Sequence, residues 1–173
     1  MLADEKEYSI MRIYGQRKST VGRLLAEKMG RKLIDIDYYI VKKEKMSIPQ
    51  IFEKYGEEYF RACETQACKE LSQLSGCIIS TGGGTLLREE NVIEMKSNGV
   101  VFLLDVNADV VLSRLANDKT RPLLQREDKE TAVKTLMQQR SPLYNRAADH
   151  IVNAELPPWQ VCNKIMEIYS SNC

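Results

Sequence analysis

The chain has 173 residues, 43% apolar and 28% charged, which fits one soluble globular domain and excludes a disordered or fibrous chain. Its 25 Lys and Arg against 24 Asp and Glu leave a formal net charge of +1, which argues against a nucleic-acid coat or a polybasic membrane anchor. Five cysteines without a C-x-x-C pair and a single imidazole, His150, argue against a zinc site and for a reduced, cytoplasmic setting.

No apolar run approaches a membrane span, and Met1–Arg12 alternates charge where a signal peptide would be apolar. Apolar, β-rich runs alternate with helical ones along the chain, the pattern of an α/β protein with a parallel sheet. Tyr8–Tyr14 reads as the first strand and runs into Gly15-Gln16-Arg17-Lys18-Ser19-Thr20. Val21–Met29 has helical spacing and stops at Gly30, a good C-terminal cap. Lys32–Ile36 is a short second strand with Asp35 and Asp37 at its end. Ser47, Pro49 and Gln50 form a capped helix start, and a longer helix covers Glu57–Leu74, closed by Gly76. Cys77–Ser80 is a buried strand leading into Gly82-Gly83-Gly84. Glu89–Ser97 is helical, and Val100–Asp105 is the most apolar strand. Asp109–Leu115 and Lys129–Arg140 are helical, with the polar segment Asn117–Asp128 between them as a mobile loop. His150–Asn153 is a last strand and Pro158–Tyr169 a closing helix. No repeat or linker divides the chain, so residues 1–173 form a single domain.

A strand, a tight loop and Lys18-Ser19-Thr20 opening a helix make a phosphate-binding loop in outline. Backbone N–H groups and the helix N-terminus attract phosphate, the Lys brings a mobile charge, and the hydroxyl can ligate Mg²⁺. The motif G-x-x-x-x-G-K-[ST] asks for glycine where Arg12 and Arg17 stand, so as a bare pattern the match fails and an ordinary basic helix start is the alternative. Asp35 and Asp37, alternate residues at a strand end, can address one site. One could hold a metal through water while the other takes a proton from a substrate hydroxyl, or Asp37 could simply cap a helix. Arg61 and Glu64 share a helix face, as a surface ion pair or as an Arg fork aimed at a carboxylate and steadied by Glu64. Three consecutive glycines, Gly82 to Gly84, are costly in a folded chain and suggest backbone lying against a ligand. Arg121 falls in the polar loop and Arg140 just after a helix. A loop arginine closing over phosphates would serve phosphoryl transfer, and a solvated arginine is the alternative for each.

Six segments, taken in order, resemble the shikimate kinase family of small P-loop kinases. They are Ser19-Thr20-Val21-Gly22, Ile34-Asp35-Ile36-Asp37, Phe60-Arg61 with Glu64, Ser80-Thr81-Gly82-Gly83-Gly84, Thr120-Arg121-Pro122-Leu123-Leu124 and Arg140 through Tyr144. The match runs from about Ile10 to the C-terminal helix. The resemblance implies a three-layer α/β sandwich around a parallel sheet of about five strands, of the P-loop NTPase, nucleoside-monophosphate-kinase-like kind. It implies a substrate-binding helical part at about residues 36–64 and a lid at about 116–128. The implied activity is ATP- and Mg²⁺-dependent phosphorylation of the shikimate 3-hydroxyl, a step towards chorismate and the aromatic amino acids. The implied partners are shikimate and ATP alone, with no nucleic acid, no membrane and a monomeric enzyme.

On that resemblance Arg61 and Arg140 grip the substrate carboxylate, and Glu64 orients the arginine. Asp37 holds the ring hydroxyls and is the candidate base, Gly82, Gly83 and Gly84 support the ring, and Phe52 and Phe60 form an apolar wall. Gly15, Gln16, Arg17, Lys18, Ser19 and Thr20 cradle the nucleotide, whose phosphates Lys18 and Arg121 neutralise. Arg114 and the Glu155–Pro158 turn flank the adenine, and Ser19 and Asp35 organise Mg²⁺. Arg12 and Arg17 in place of two glycines, and Gln16 where a small residue is usual, depart from the family pattern. The alternative they raise is an impaired kinase-like protein that binds shikimate or a partner but ATP poorly. A kinase for another polyol such as gluconate is a further reading, and the paired Arg61 and Arg140 suit it less well.

Overall fold

Among the described residues, five short strands pair in parallel into one sheet in the order β2-β3-β1-β4-β5. They are β1 (Glu7–Arg12), β2 (Lys32–Asp35), β3 (Cys77–Ser80), β4 (Gly99–Asp105) and β5 (His150–Asn153). The computed structural model describes residues 7–12, 17–115 and 129–171. The described residues form seven helices: α1 (Arg17–Met29), α2 (Ile36–Glu44), α3 (Ile48–Leu71), α4 (Glu89–Ser97), α5 (Ala108–Leu115), α6 (Lys129–Ala147) and α7 (Pro158–Ser171). A short 3-10 turn, Thr85–Leu87, follows the three glycines.

The layering follows from the two-residue period of β4. Phe102 and Leu104 point into a core with Val21 and Leu25 of α1 and Ile165 of α7. Val101 and Leu103 point to the other face, into a core with Ile40 of α2, Leu71 of α3 and Tyr144 of α6. A strand buried on both faces reads as a continuous apolar run, as Val-Val-Phe-Leu-Leu does here. In register, Ile10 lies opposite both Ser80 and Phe102, and Asp35 lies opposite Ser80. All strands being parallel, Arg12, Asp35, Ser80, Asp105 and Asn153 finish along one edge, where open α/β sheets place their ligands.

Several elements differ from the sequence reading: α1 begins at Arg17 and not Val21, and α2 occupies a stretch to which the sequence reading assigned no element. The second strand stops at Asp35, whose backbone is extended and whose carboxylate accepts the Tyr38 N–H at 3.1 Å, so Ile36 already begins α2. The helix expected over Glu57–Leu74 is the second part of a longer α3 that starts at the Ser47–Gln50 capping box. Gly56, at φ 82°, kinks α3, a conformation that glycine adopts without strain. The helix expected to end at Arg140 continues through Pro142 to Ala147. Proline in a helix costs about 3 kcal/mol, but Tyr144 and Ala147 beyond it are fully buried and packing outweighs that cost. Among the described residues no helix is long and apolar enough to cross a membrane.

Candidate active site

The first turn of α1 puts Lys18 beside the carboxyl edge of β2 and β3. Its Nζ donates to the Thr81 carbonyl at 3.0 Å and lies 3.8 Å from Asp35 Oδ2. The two backbone positions where glycine was expected are ordinary: Arg12 pairs with Leu104 as the last residue of β1, and Arg17 is the first helical residue of α1. Neither conformation requires glycine. Gly15, Gln16 and Arg121 lie outside the described residues, as do the side chains of Arg12, Arg17 and Arg114.

Asp37 sits in the first turn of α2, not on a strand end, so the shared strand face expected for Asp35 and Asp37 does not exist. Helical winding brings them together instead: Asp35 caps α2, and Asp37 turns towards Lys18 and the glycine turn. Burial pushes the Asp37 carboxyl above the usual carboxylate range. Lys18 and Arg61 oppose that rise, while Asp35 and Glu64 add to it. A β-carbon on Gly82 would lie 3.4 Å from Asp37 Oδ1, so the glycine backbone and the carboxylate line the same cleft.

Arg61, in the second part of α3, is held by two carboxylates. Its Nη1 donates to Glu64 Oε2 at 2.7 Å, and its Nη2 and Nε donate to Glu57 Oε1 at 3.1 and 3.4 Å. Glu64 is 2% exposed, so the pair is not the surface ion pair of the simpler reading. Its second oxygen accepts the Thr85 hydroxyl at 2.7 Å, and the Thr85 carbonyl accepts from Asn91 at 2.8 Å. A buried carboxylate with both oxygens filled is a fixed support for the guanidinium. Tyr144, fully buried on α6, donates its hydroxyl to the Gly83 carbonyl. Arg140, partly buried, lies one turn earlier on the same helix face.

Phe52 and Phe60 stand on either side of the Gly56 kink with ring centroids 5.0 Å apart. Eight residues of straight helix would rise about 12 Å, so the kink is what lets the rings form one wall. Ser19 is exposed in the first turn of α1, next to Lys18. Its hydroxyl and the Asp35 carboxylate are hard oxygen donors, and the described residues hold no cluster of three or more His, Cys, Asp or Glu able to ligate a metal. That donor set fits Mg²⁺, which keeps several waters and takes its other ligands from phosphates. Glu155 stands apart, on the β5 side of the sheet, where Oε1 accepts the Asn107 N–H at 3.1 Å and ties the β4–α5 turn to the turn after β5.

Sequence reasoning missed Thr85, Asn91 and Glu57, and gave Tyr144 no role. The Ser-Thr-Gly-Gly-Gly-Thr run and an asparagine six residues on were the only signals for the first two.

A family model described as shikimate kinase matches residues 14–170. A shikimate kinase of Caldicellulosiruptor saccharolyticus is 41% identical over 155 residues, covering 90% of each chain. One of Aquifex aeolicus is 42% identical over 149 residues, covering 86% of this chain and 87% of its own. Among solved structures, shikimate kinase from Acinetobacter baumannii in complex with shikimate has a TM-score of 0.87 at 35% identity, covering 96% of this chain and 94% of that one. A gluconokinase from Sinorhizobium meliloti, at 12% identity and a TM-score of 0.56, covers 92% of this chain and 89% of its own and shares the fold alone. With a family match over nearly its whole length and relatives about 40% identical over most of it, the chain belongs to the shikimate kinase family.

Proposed function

We propose that this enzyme transfers the γ-phosphoryl group of ATP to the 3-hydroxyl of shikimate. The observation that carries the reading is the line Lys18–Asp37–Gly82-to-Gly84–Arg61, which sets a phosphate-seeking cation, a buried carboxylate and a carboxylate-seeking guanidinium around one glycine turn.

Phosphoryl transfer asks a protein for positioning and charge neutralisation rather than covalent help. Arg61, fixed by Glu64, and Arg140 receive the shikimate carboxylate and orient the ring against Phe52, Phe60 and the Gly82–Gly84 backbone. Asp37 accepts hydrogen bonds from the ring hydroxyls and takes the proton of the attacking oxygen; its raised pKa makes it a better base than an exposed aspartate. Lys18 gives up the Thr81 carbonyl for the phosphate oxygens. Mg²⁺, held through Ser19 and the waters on Asp35, would neutralise charge on the phosphates. Gly15, Gln16, Arg17, Thr20, Arg114 and Glu155 complete the nucleotide site, and Arg121 closes over it from a lid at about residues 116–128. The enzyme works as a single cytoplasmic domain acting on small molecules, with residues of about 36–64 as its shikimate-binding part.

A coupled assay with shikimate, ATP and Mg²⁺ tests the reading against a Lys18→Ala control. Turnover above the control supports it, and none rejects it. A substrate panel in which gluconate outperforms shikimate would reassign the acceptor.

A further inference from the structure

Arg61 is bound by two carboxylates of unlike character. Glu64 is 2% exposed and has both oxygens committed, one to Arg61 and one to Thr85. Glu57 is 64% exposed and offers one oxygen, Oε1, to both Nη2 and Nε of Arg61 at 3.1 and 3.4 Å. A carboxylate that fits this edge of a guanidinium presents two oxygens to two N–H groups in parallel. One oxygen shared between two donors, the second beyond the usual 2.7–3.2 Å range, is a poor version of that pairing.

We infer that Glu57 is a resident competitor for the substrate: it occupies the edge of Arg61 that a substrate carboxylate takes, and swings into water when that carboxylate arrives. The inference rests on the assignment of Arg61 to the shikimate carboxylate. Charge favours the exchange. With Glu57 in place, a bound shikimate would gather three carboxylates about Arg61 with Arg140 as the second cation assigned to it, and like charges at that range oppose one another. Glu64, buried and tied to Thr85, cannot leave; Glu57, at the start of the half-helix beyond the Gly56 kink, can rotate into solvent. The neighbouring carboxylate, Glu58, points elsewhere and pairs with Arg88 at 2.9 Å. The unliganded arginine thus keeps a partner, and binding swaps one carboxylate for a better one instead of adding a charge.

Removing the competitor therefore tightens binding, an unusual outcome for deleting a salt bridge beside a binding site. The experiment is calorimetric titration of the full chain with shikimate and with its methyl ester, for the parent and for Glu57→Gln, with KM for shikimate and for ATP measured in parallel. Glu57→Gln is expected to lower Kd and KM for shikimate by about twofold to fivefold, which is about 0.4–1 kcal/mol and within the range of an exposed ion pair. The ester, which has no carboxylate to exchange, and ATP are expected to keep their parental values. Unchanged or weaker shikimate binding in Glu57→Gln overturns the inference, as does an equal gain for the ester, which would mark a general loosening of α3. A parent chain that binds no shikimate overturns the assignment of the pocket itself, and the inference with it.

Discussion

The backbone at Gly84 runs so close to Arg61 that a β-carbon there would lie 3.0 Å from the guanidinium carbon and closer still to Nη1. Gly84 has φ −96° and ψ −22°, which any residue adopts, so the glycine is required by its neighbour and not by its own conformation. Gly84→Ala is therefore expected to push Arg61 off Glu64 while leaving the backbone intact. KM for shikimate should rise at least tenfold, about 1.4 kcal/mol, with KM for ATP unchanged. Gly82→Ala, whose β-carbon meets Asp37 at an ordinary 3.4 Å, should do less. Steady-state kinetics on the two variants checks the ordering.

Asp37→Asn should abolish most turnover and yet melt at a higher temperature than the parent at neutral pH. The sign follows from burial. The folded-state pKa of Asp37 is raised, so its contribution to stability is fully present below the unfolded value of 3.8 and is lost as pH rises through the folded value. Asparagine avoids the cost of burying the charge. The gap between the two melting temperatures should close as the pH falls towards 3.8, which a series of calorimetric scans would reveal.

Tyr144→Phe keeps the buried ring and leaves the Gly83 carbonyl without its phenolic donor. Losing one part-buried hydrogen bond costs about 0.5–1.5 kcal/mol, and each kcal/mol lowers the melting temperature of a chain this size by about 2–4 °C. Because Arg140 stands one turn away on α6, the loosened contact should also raise KM for shikimate severalfold, whereas KM for ATP should not move. Equal effects on both substrates would show that the residue serves stability alone.

Lys18→Met removes the strongest charge holding the Asp37 pKa down, so Asp37 should titrate at higher pH than in the parent. Carboxyl carbon NMR across a pH series reads this directly. Turnover should be lost, and shikimate affinity should stay within about twofold, a change under 0.5 kcal/mol. A large loss of shikimate affinity would place the lysine in the acceptor pocket instead.

Periodicity and caps made most of the fold legible. Cys77–Ser80, Glu89–Ser97 and His150–Asn153 form the elements read from the sequence, because each has a clear apolar pattern or a turn at its ends. The reading went astray where one local rule met another. Asp35 carries both a strand's last position and a helix cap, and the cap prevails because it satisfies an otherwise unpaired N–H. Pro142 suggests a helix end, yet burial of Tyr144 and Ala147 carries α6 past it. In the site, charged residues were legible because carboxylates and guanidiniums announce chemistry. Thr85, Asn91 and Glu57 were not, since a buried hydroxyl, an amide and one of several glutamates on α3 differ from their neighbours only in what they touch.

The position of β1 in the sheet sets the order in which the molecule can be completed. Ile10 pairs with Ser80 on one side and Phe102 on the other, so the central strand gains its first neighbour roughly seventy residues later and its second roughly ninety residues later. Closing loops of that length before their contacts form is slow. Lys18 lies in the first turn of α1, the next described element after this strand, while its two partners, Thr81 and Asp35, lie just past the end of β3 and at the end of β2. A fragment ending before β4 already contains these three groups and the pairing of β1 with β3, but it leaves the other side of β1 uncovered. The sheet is therefore complete only once β4 and β5 have joined, and a chain stalled before β4 keeps an open edge on its central strand.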